Sequence, residues 1–116
     1  MNAEICYFSG SGNSLAVARD LATKRMGKLI PITSLMNRDR ILPAADVIGI
    51  VFPVYYASLG QSGIPLIVGR FIRKLENIGP RYLFAVYTHG GEAGATIENI
   101  SRLISSRGGR LAGGSR

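Results

Sequence analysis

The 116-residue sequence predicts an α/β domain, a doubly wound parallel sheet of strand order 2-1-3-4-5 in which the fifth strand and closing helix are incomplete. Three observations predict it. Short runs of β-branched and aromatic residues alternate with segments of helical periodicity, which implies parallel strands joined by crossover helices. The run from Asp46 to Phe52 (DVIGIVF) is apolar on both faces, as a central strand covered by helices on each side must be. A glycine- and serine-rich bend follows the first strand, at the carboxyl edge where open parallel sheets place their ligands.

The elements follow in order. Ile5-Cys6-Tyr7-Phe8 is a short strand. Leu15, Ala18 and Ala22 then recur at helical spacing, Val17 and Leu21 widen the stripe, and Gly27 is expected to stop the helix. Lys28 to Ile32 forms a second short strand. Thr33 to Ala45 is only weakly periodic and reads as loop with room for a helical turn. After the third strand, Pro65 suits the first turn of a helix. Ile64, Ile67, Val68, Phe71, Ile72 and Leu75 form one apolar face, expected to run until Gly79-Pro80. Tyr82 to Tyr87 is the fourth strand. Ile97, Ile100, Leu103 and Ile104 mark a last helix, stopped at Gly108-Gly109.

Five strand–helix units need roughly 120–140 residues. The tail Arg110 to Arg116 carries one large apolar side chain, Leu111, and is expected to supply only part of a strand and no closing helix. Three readings stay open: a vestigial edge strand, a shortened chain, or a second copy that covers the exposed edge as a homodimer. The whole of 1–116 is read as one domain, because a hydrophobic content of 47% suffices for one core and the length leaves too little for two.

Composition narrows the functional classes. No apolar run reaches the roughly 18 residues of a membrane span, and the longest, Val47 to Ala57, is cut by Gly49 and Pro53. No basic leader precedes an apolar stretch at the start, so the cytoplasm is the expected compartment. The single cysteine, Cys6, excludes an intrachain disulfide and a cysteine-rich metal or iron–sulfur site, and reads as a small buried hydrophobe. A net charge of +7 admits polyanions as partners. The cations are nonetheless scattered, Arg19, Lys24 and Arg25 along one helix with Lys28 just past its end, and Arg70, Arg73 and Lys74 along another, and no element reads bases. No specific nucleic-acid partner is expected.

The chemistry-bearing segment is Ser9-Gly10-Ser11-Gly12-Asn13-Ser14, between the first strand and the first helix. Glycines let the backbone bring its N–H groups close to a ligand. The helix that follows aims the positive end of its dipole at the same place. Serine hydroxyls and the Asn13 amide add donors, which together can seat a phosphate without lysine or arginine. The same residues also suit a plain strand–helix turn in which Asn13 or Ser14 only caps the helix. A P-loop is excluded because no lysine follows the glycines, and a dinucleotide fingerprint because Leu15 stands where a third glycine belongs.

Two further loops are expected on that edge: Pro53-Val54-Tyr55-Tyr56-Ala57 and onward after strand three, and Thr88-His89-Gly90-Gly91 after strand four. Tyr55 and Tyr56 offer an aromatic face on which a flat ring can stack, or they only cover the sheet end. Gly90 and Gly91 allow close backbone approach. His89 reads as an ordinary polar loop residue able to touch a ligand. The seven acids are dispersed, with no carboxylate pair, metal-ligand spacing or Ser-His-Asp set, so no catalytic residue and no metal is assigned.

These motifs resemble the flavodoxin family. Tyr7 to Ser14 is similar to its FMN-phosphate loop, in which Ser/Thr-x-Ser/Thr-Gly-Asn-Ser/Thr follows the first strand. The similarity is closer still to the flavodoxin half of bacterial and archaeal proteins fused to a ferredoxin module, which share a Phe-Pro-Val-Tyr-Tyr segment, as at Phe52 to Tyr56, and a Thr-x-Gly-Gly loop, as at Thr88 to Gly91. The resemblance implies that FMN is the cofactor. It implies that Ser9, Ser11, Asn13, Ser14 and the loop amides hold its phosphate, while Tyr55 or Tyr56 and Thr88 to Gly91 flank its ring. The implied function is electron transfer with a redox partner of ferredoxin or reductase type. The alternatives are an NAD(P)H-dependent quinone or flavin reductase of the same fold, or a fragment that binds nothing tightly. The chain departs from the family in lacking a ferredoxin half and in being basic where many flavodoxins are acidic, a change expected to leave the flavin with a less negative potential.

Overall fold

The structure, a computed structural model, describes residues 2–9, 13–54, 64–89 and 94–115. Strands β1 (Ala3–Tyr7), β2 (Lys28–Pro31), β3 (Val47–Val54), β4 (Tyr82–His89) and β5 (Leu111–Ser115) alternate with helices α1 (Asn13–Lys24), α2 (Leu66–Lys74) and α3 (Gly94–Ser106). All neighbouring strands are parallel and their order is β2-β1-β3-β4-β5, the order the sequence predicts. Between β2 and β3 the only helical structure described is a 3-10 turn, Ile32–Leu35, within the segment read as loop.

The two-residue period of the strands divides the core into two layers. Ala3, Ile5, Val47, Val51, Phe84 and Val86 point to one face, where Ala18 and Ala22 of α1 close on them. Cys6, Ile48, Ile50, Phe52, Leu83 and Ala85 point to the other, against Val68, Phe71 and Ile72 of α2, Ile100 and Ile104 of α3, and Ile32. β3 contributes to both layers, which accounts for its uninterrupted apolar run. Each of its large side chains, removed fully from water, stabilises the fold by about 1.5–3 kcal/mol. Alanines on the inner face of α1 let that helix approach the sheet closely. Gly49 does the same for a ring, since a Cβ there would stand 2.6 Å from Cζ of Phe84.

Three boundaries differ from expectation. The apolar face that begins at Ile64 does not remain helical to Gly79. α2 ends at Lys74, and Leu75 is extended (φ −69°, ψ 136°). The backbone there bonds elsewhere: Ile41 N–H donates to the Lys74 carbonyl at 2.8 Å, and Glu76 N–H donates to the Ile41 carbonyl at 2.9 Å. Leu75 stays in the core while leaving the helix. Secondly, α1 is closed one residue before Gly27. Met26 takes the left-handed conformation (φ 53°), and Gly27 N–H reaches back to the Ala22 carbonyl at 2.8 Å. Gly27 is required instead by close approach, since a Cβ there would lie 2.7 Å from the Ala3 carbonyl oxygen. Thirdly, β3 and β4 run past their expected ends at Phe52 and Tyr87, to Val54 and His89.

β5 has five residues, as many as β1. Among the described residues it pairs with β4 from Leu83↔Leu111 to Val86↔Ser115, with a register shift between Leu83 and Phe84.

The amino ends of the strands are tied together by hydrogen bonds between distant segments. Asp46 N–H donates to Asn2 Oδ1 at 3.0 Å, and Tyr82 N–H donates to the Asp46 carbonyl at 2.9 Å. The Arg81 guanidinium donates to the carbonyls of Ala45 (2.6 Å) and Asn77 (3.0 Å). Arg107 donates twice to the Leu75 carbonyl, at 3.1 and 3.3 Å.

Candidate functional site

The carboxyl ends of the strands stop at different levels. β1 ends at Tyr7, which lies beside Val51, whereas β3 continues for three residues beside β4 through the pairs Phe52↔Tyr87, Pro53↔Thr88 and Val54↔His89. At about 3.3 Å per residue, the paired tips of β3 and β4 overhang the end of β1 by about 10 Å. In the chain, β1 is followed by α1, which begins at Asn13. The notch lies between β1 and β3, where the sheet's winding reverses, the position at which ligands bind in open α/β sheets.

Pro53 shows how the sequence builds the notch. Phe8 N–H donates to the Val51 carbonyl at 2.9 Å, so the backbone of Val51 faces β1. Two residues on, the nitrogen of Pro53 faces the same side, beyond the last β1 partner. A proline in a strand between two others would normally remove a ladder hydrogen bond. Here its missing N–H falls where no strand remains to receive it, and its ring is buried. Thr88 and His89, together with Pro53 and Val54, are thus strand residues and not loop residues as read from the sequence. The physical reason is that β3 and β4 go on pairing with each other after β1 has stopped.

On the other side of the notch, α1 begins at Asn13, which puts Ser14 in its first turn. Ser14 is a buried polar residue, 1% exposed, while Ser9 is half-buried just beyond β1. The first turn of α1 holds no acidic residue that would oppose an anion at this end of the helix. Among the described members of the predicted site, the fold brings Ser9, Asn13, Ser14, Pro53, Val54, Thr88 and His89 to one edge of the sheet. Gly10, Ser11, Gly12, Tyr55, Tyr56, Ala57, Gly90 and Gly91 lie outside the described residues. The sequence alone does not mark Phe8 as a site residue; its amide ties the chain leaving β1 to Val51 of β3.

Comparisons with solved structures agree on this architecture. A flavoprotein of Lactobacillus acidophilus, solved in complex with FMN, superposes with a TM-score of 0.73 at 16% identity, over 99% of this chain and 92% of that one. A Streptococcus pneumoniae flavodoxin gives 0.72 at 15% identity, over 100% and 83% of the two chains. Oxidised flavodoxin 2 of Bacillus cereus gives 0.67 at 17%, over 99% and 83%. The fold is flavodoxin-like. No protein-family model and no curated protein matches the sequence, so the likeness rests on three-dimensional arrangement. In this flavodoxin-like frame, no helix among the described residues is long and apolar enough to cross a membrane.

Proposed function

We propose that this chain binds FMN at the carboxyl edge of its sheet and carries electrons between redox partners in the cytoplasm. The observation that carries the proposal is the notch between the end of β1 and the overhanging pair β3–β4, with the amino end of α1 opening onto it. A phosphate seated there would accept hydrogen bonds from the backbone amides of 9–14 and from the hydroxyls of Ser9, Ser11 and Ser14 and the Asn13 amide, with the helix dipole adding to the attraction. Pro53 to Ala57 and Thr88 to Gly91 would flank the ring, with Tyr55 or Tyr56 stacking on it. Solved proteins of the same fold with FMN bound, including a Fusobacterium nucleatum flavodoxin, support this choice of ligand. FMN would supply the redox chemistry, while the chain's residues would hold the phosphate, orient the ring and limit water around it.

The segments Phe52 to Tyr56 and Thr88 to Gly91 support a closer kinship with flavodoxin modules found fused to ferredoxins. The net charge of +7 favours a redox partner with an acidic surface. Among the described residues no strand pairs with the outer edge of β5, which would give a second copy a place to pair, and a monomer in sedimentation experiments would remove that part of the proposal.

The direct experiment is titration of the apo protein with FMN. Quenching of flavin fluorescence at micromolar protein, with riboflavin binding more weakly because it lacks the phosphate, is the expected result. FMN fluorescence that stays unquenched would reject the proposal.

A further inference from the structure

A cavity of about 500 Å³ lies on the α2 side of the sheet, away from the notch. Its origin is topological. The crossover from β2 to β3 makes a single 3-10 turn, so a stretch of β2 and β1 that a full helix would cover is roofed by Ser34 and Leu35 of that turn and by the segment around Arg38 to Pro43. The floor is apolar, formed by Ile30, Ile48, Phe71 and Leu75. The lining also includes Glu4, Lys28 and Arg38, two cations against one carboxylate. Neither cation joins an ion pair among the described residues, although Lys24 and Arg40 do. Leu42, also in the lining, is 61% exposed to water.

We propose that this cavity is a second binding site, for a small amphipathic anion whose apolar body lies on the isoleucine, phenylalanine and leucine floor and whose charged head sits between Lys28 and Arg38. The volume falls within the range of about 300–1,000 Å³ typical of small-molecule pockets, and a lining that is part apolar and part charged suits an amphipathic ligand. Charge selects the sign of the head: an anion neutralises the excess cation, whereas a cationic ligand would meet two like charges. Leu42 supplies a further apolar surface that an occupant would remove from water. The charged end of the site is separate from the notch, because Glu4 and Lys28 lie at the amino ends of β1 and β2, about 10 Å along the strand from Tyr7. Cys6, which lines the apolar part, faces the α2 layer, while Tyr7 packs with the α1 layer.

Two fluorescent probes of similar shape test this, anionic 8-anilinonaphthalene-1-sulfonate and neutral N-phenyl-1-naphthylamine, each titrated into the full chain with and without FMN. Both should bind. Arg38→Glu and Lys28→Glu should each weaken the sulfonate probe about tenfold and leave the neutral probe within about twofold, as expected for loss of a charge partner from an apolar site. Arg102→Glu, on α3, should change neither. FMN should displace neither probe, whether or not it binds at the notch, so failure here and failure of the flavin proposal are distinguishable. Absence of probe binding, equal effects of all three charge reversals, or competitive displacement by FMN would each overturn the proposal.

Discussion

At the amino ends of the strands, side chains and backbone from distant parts of the chain are stitched together by Asn2, Arg81 and Arg107, and Gly27 packs directly on Ala3. At the carboxyl ends, β1 stops while β3 and β4 continue, and Phe8 N–H bonds the Val51 carbonyl. One end spends its polar groups on holding segments in register, and the other is the edge at which open parallel sheets take their ligands. Stability and binding should therefore respond to different substitutions, according to the end of the sheet at which they fall.

The largest effect is expected at the tied end. Gly27→Val forces side-chain atoms against the Ala3 backbone and should lower the unfolding free energy by about 3 kcal/mol, measured by urea denaturation, with FMN affinity of the folded protein unchanged. A matching loss of FMN affinity in folded protein would show that the two ends are coupled. At the open end, Ser14→Ala removes the hydroxyl without adding bulk at this buried position. A lost hydrogen bond to a charged group is worth about 1.5–3 kcal/mol, so FMN binding should weaken about tenfold to hundredfold. The preference for FMN over riboflavin should shrink in parallel. Retention of that preference would put the phosphate elsewhere.

Cys6 lies between the two ends, and burial, with a smaller contribution from the charge of Glu4, pushes its thiol from the ordinary 9.0 up to about 12. The folded protein thus holds the proton where the unfolded chain releases it. The contribution is fully present below the unfolded value and is lost as pH rises from 9.0 toward about 12. Between about pH 8 and about pH 10 the protein should lose about 1 kcal/mol of stability relative to its Cys6→Ala variant, read from denaturation at both values. Parallel pH profiles for the two proteins would remove Cys6 from the account. The smallest effect belongs to Met26, 90% exposed and held at positive φ. Met26→Gly relieves the left-handed strain at a position with no packing to lose and should raise stability by about 0.5 kcal/mol. A decrease would mean that the unfolded chain's gain in freedom outweighs the relief.

Much of the scaffold is legible without coordinates. The alternation of Ile5–Phe8, Leu15–Ala22, Val47–Phe52 and Ile97–Ile104 identifies strands and helices because side-chain periodicity is local, set within one turn or one pleat. Parallel strands with helices on both faces follow from that alternation. The candidate site was legible as a set of segments, Ser9 to Ser14, Pro53 to Ala57 and Thr88 to Gly91, because glycine, serine and proline constrain their own backbone. Its shape was not. Nothing near Thr88 says that β4 will keep its pairing with β3, and nothing near Leu75 says that Ile41 will capture the backbone at the end of α2.

By itself, then, the sequence determined which stretches are strand or helix, that the sheet is parallel, and where a glycine–serine bend meets a helix. Tertiary structure alone decided where each element ends, which side of β3 the Pro53 nitrogen faces, that Met26 and not Gly27 turns the chain out of α1, and that a cavity remains beneath the β2–β3 crossover. The division has one physical cause. Periodicity is encoded by neighbours in the chain, whereas ends, notches and voids depend on hydrogen bonds and volumes contributed by residues far away in sequence.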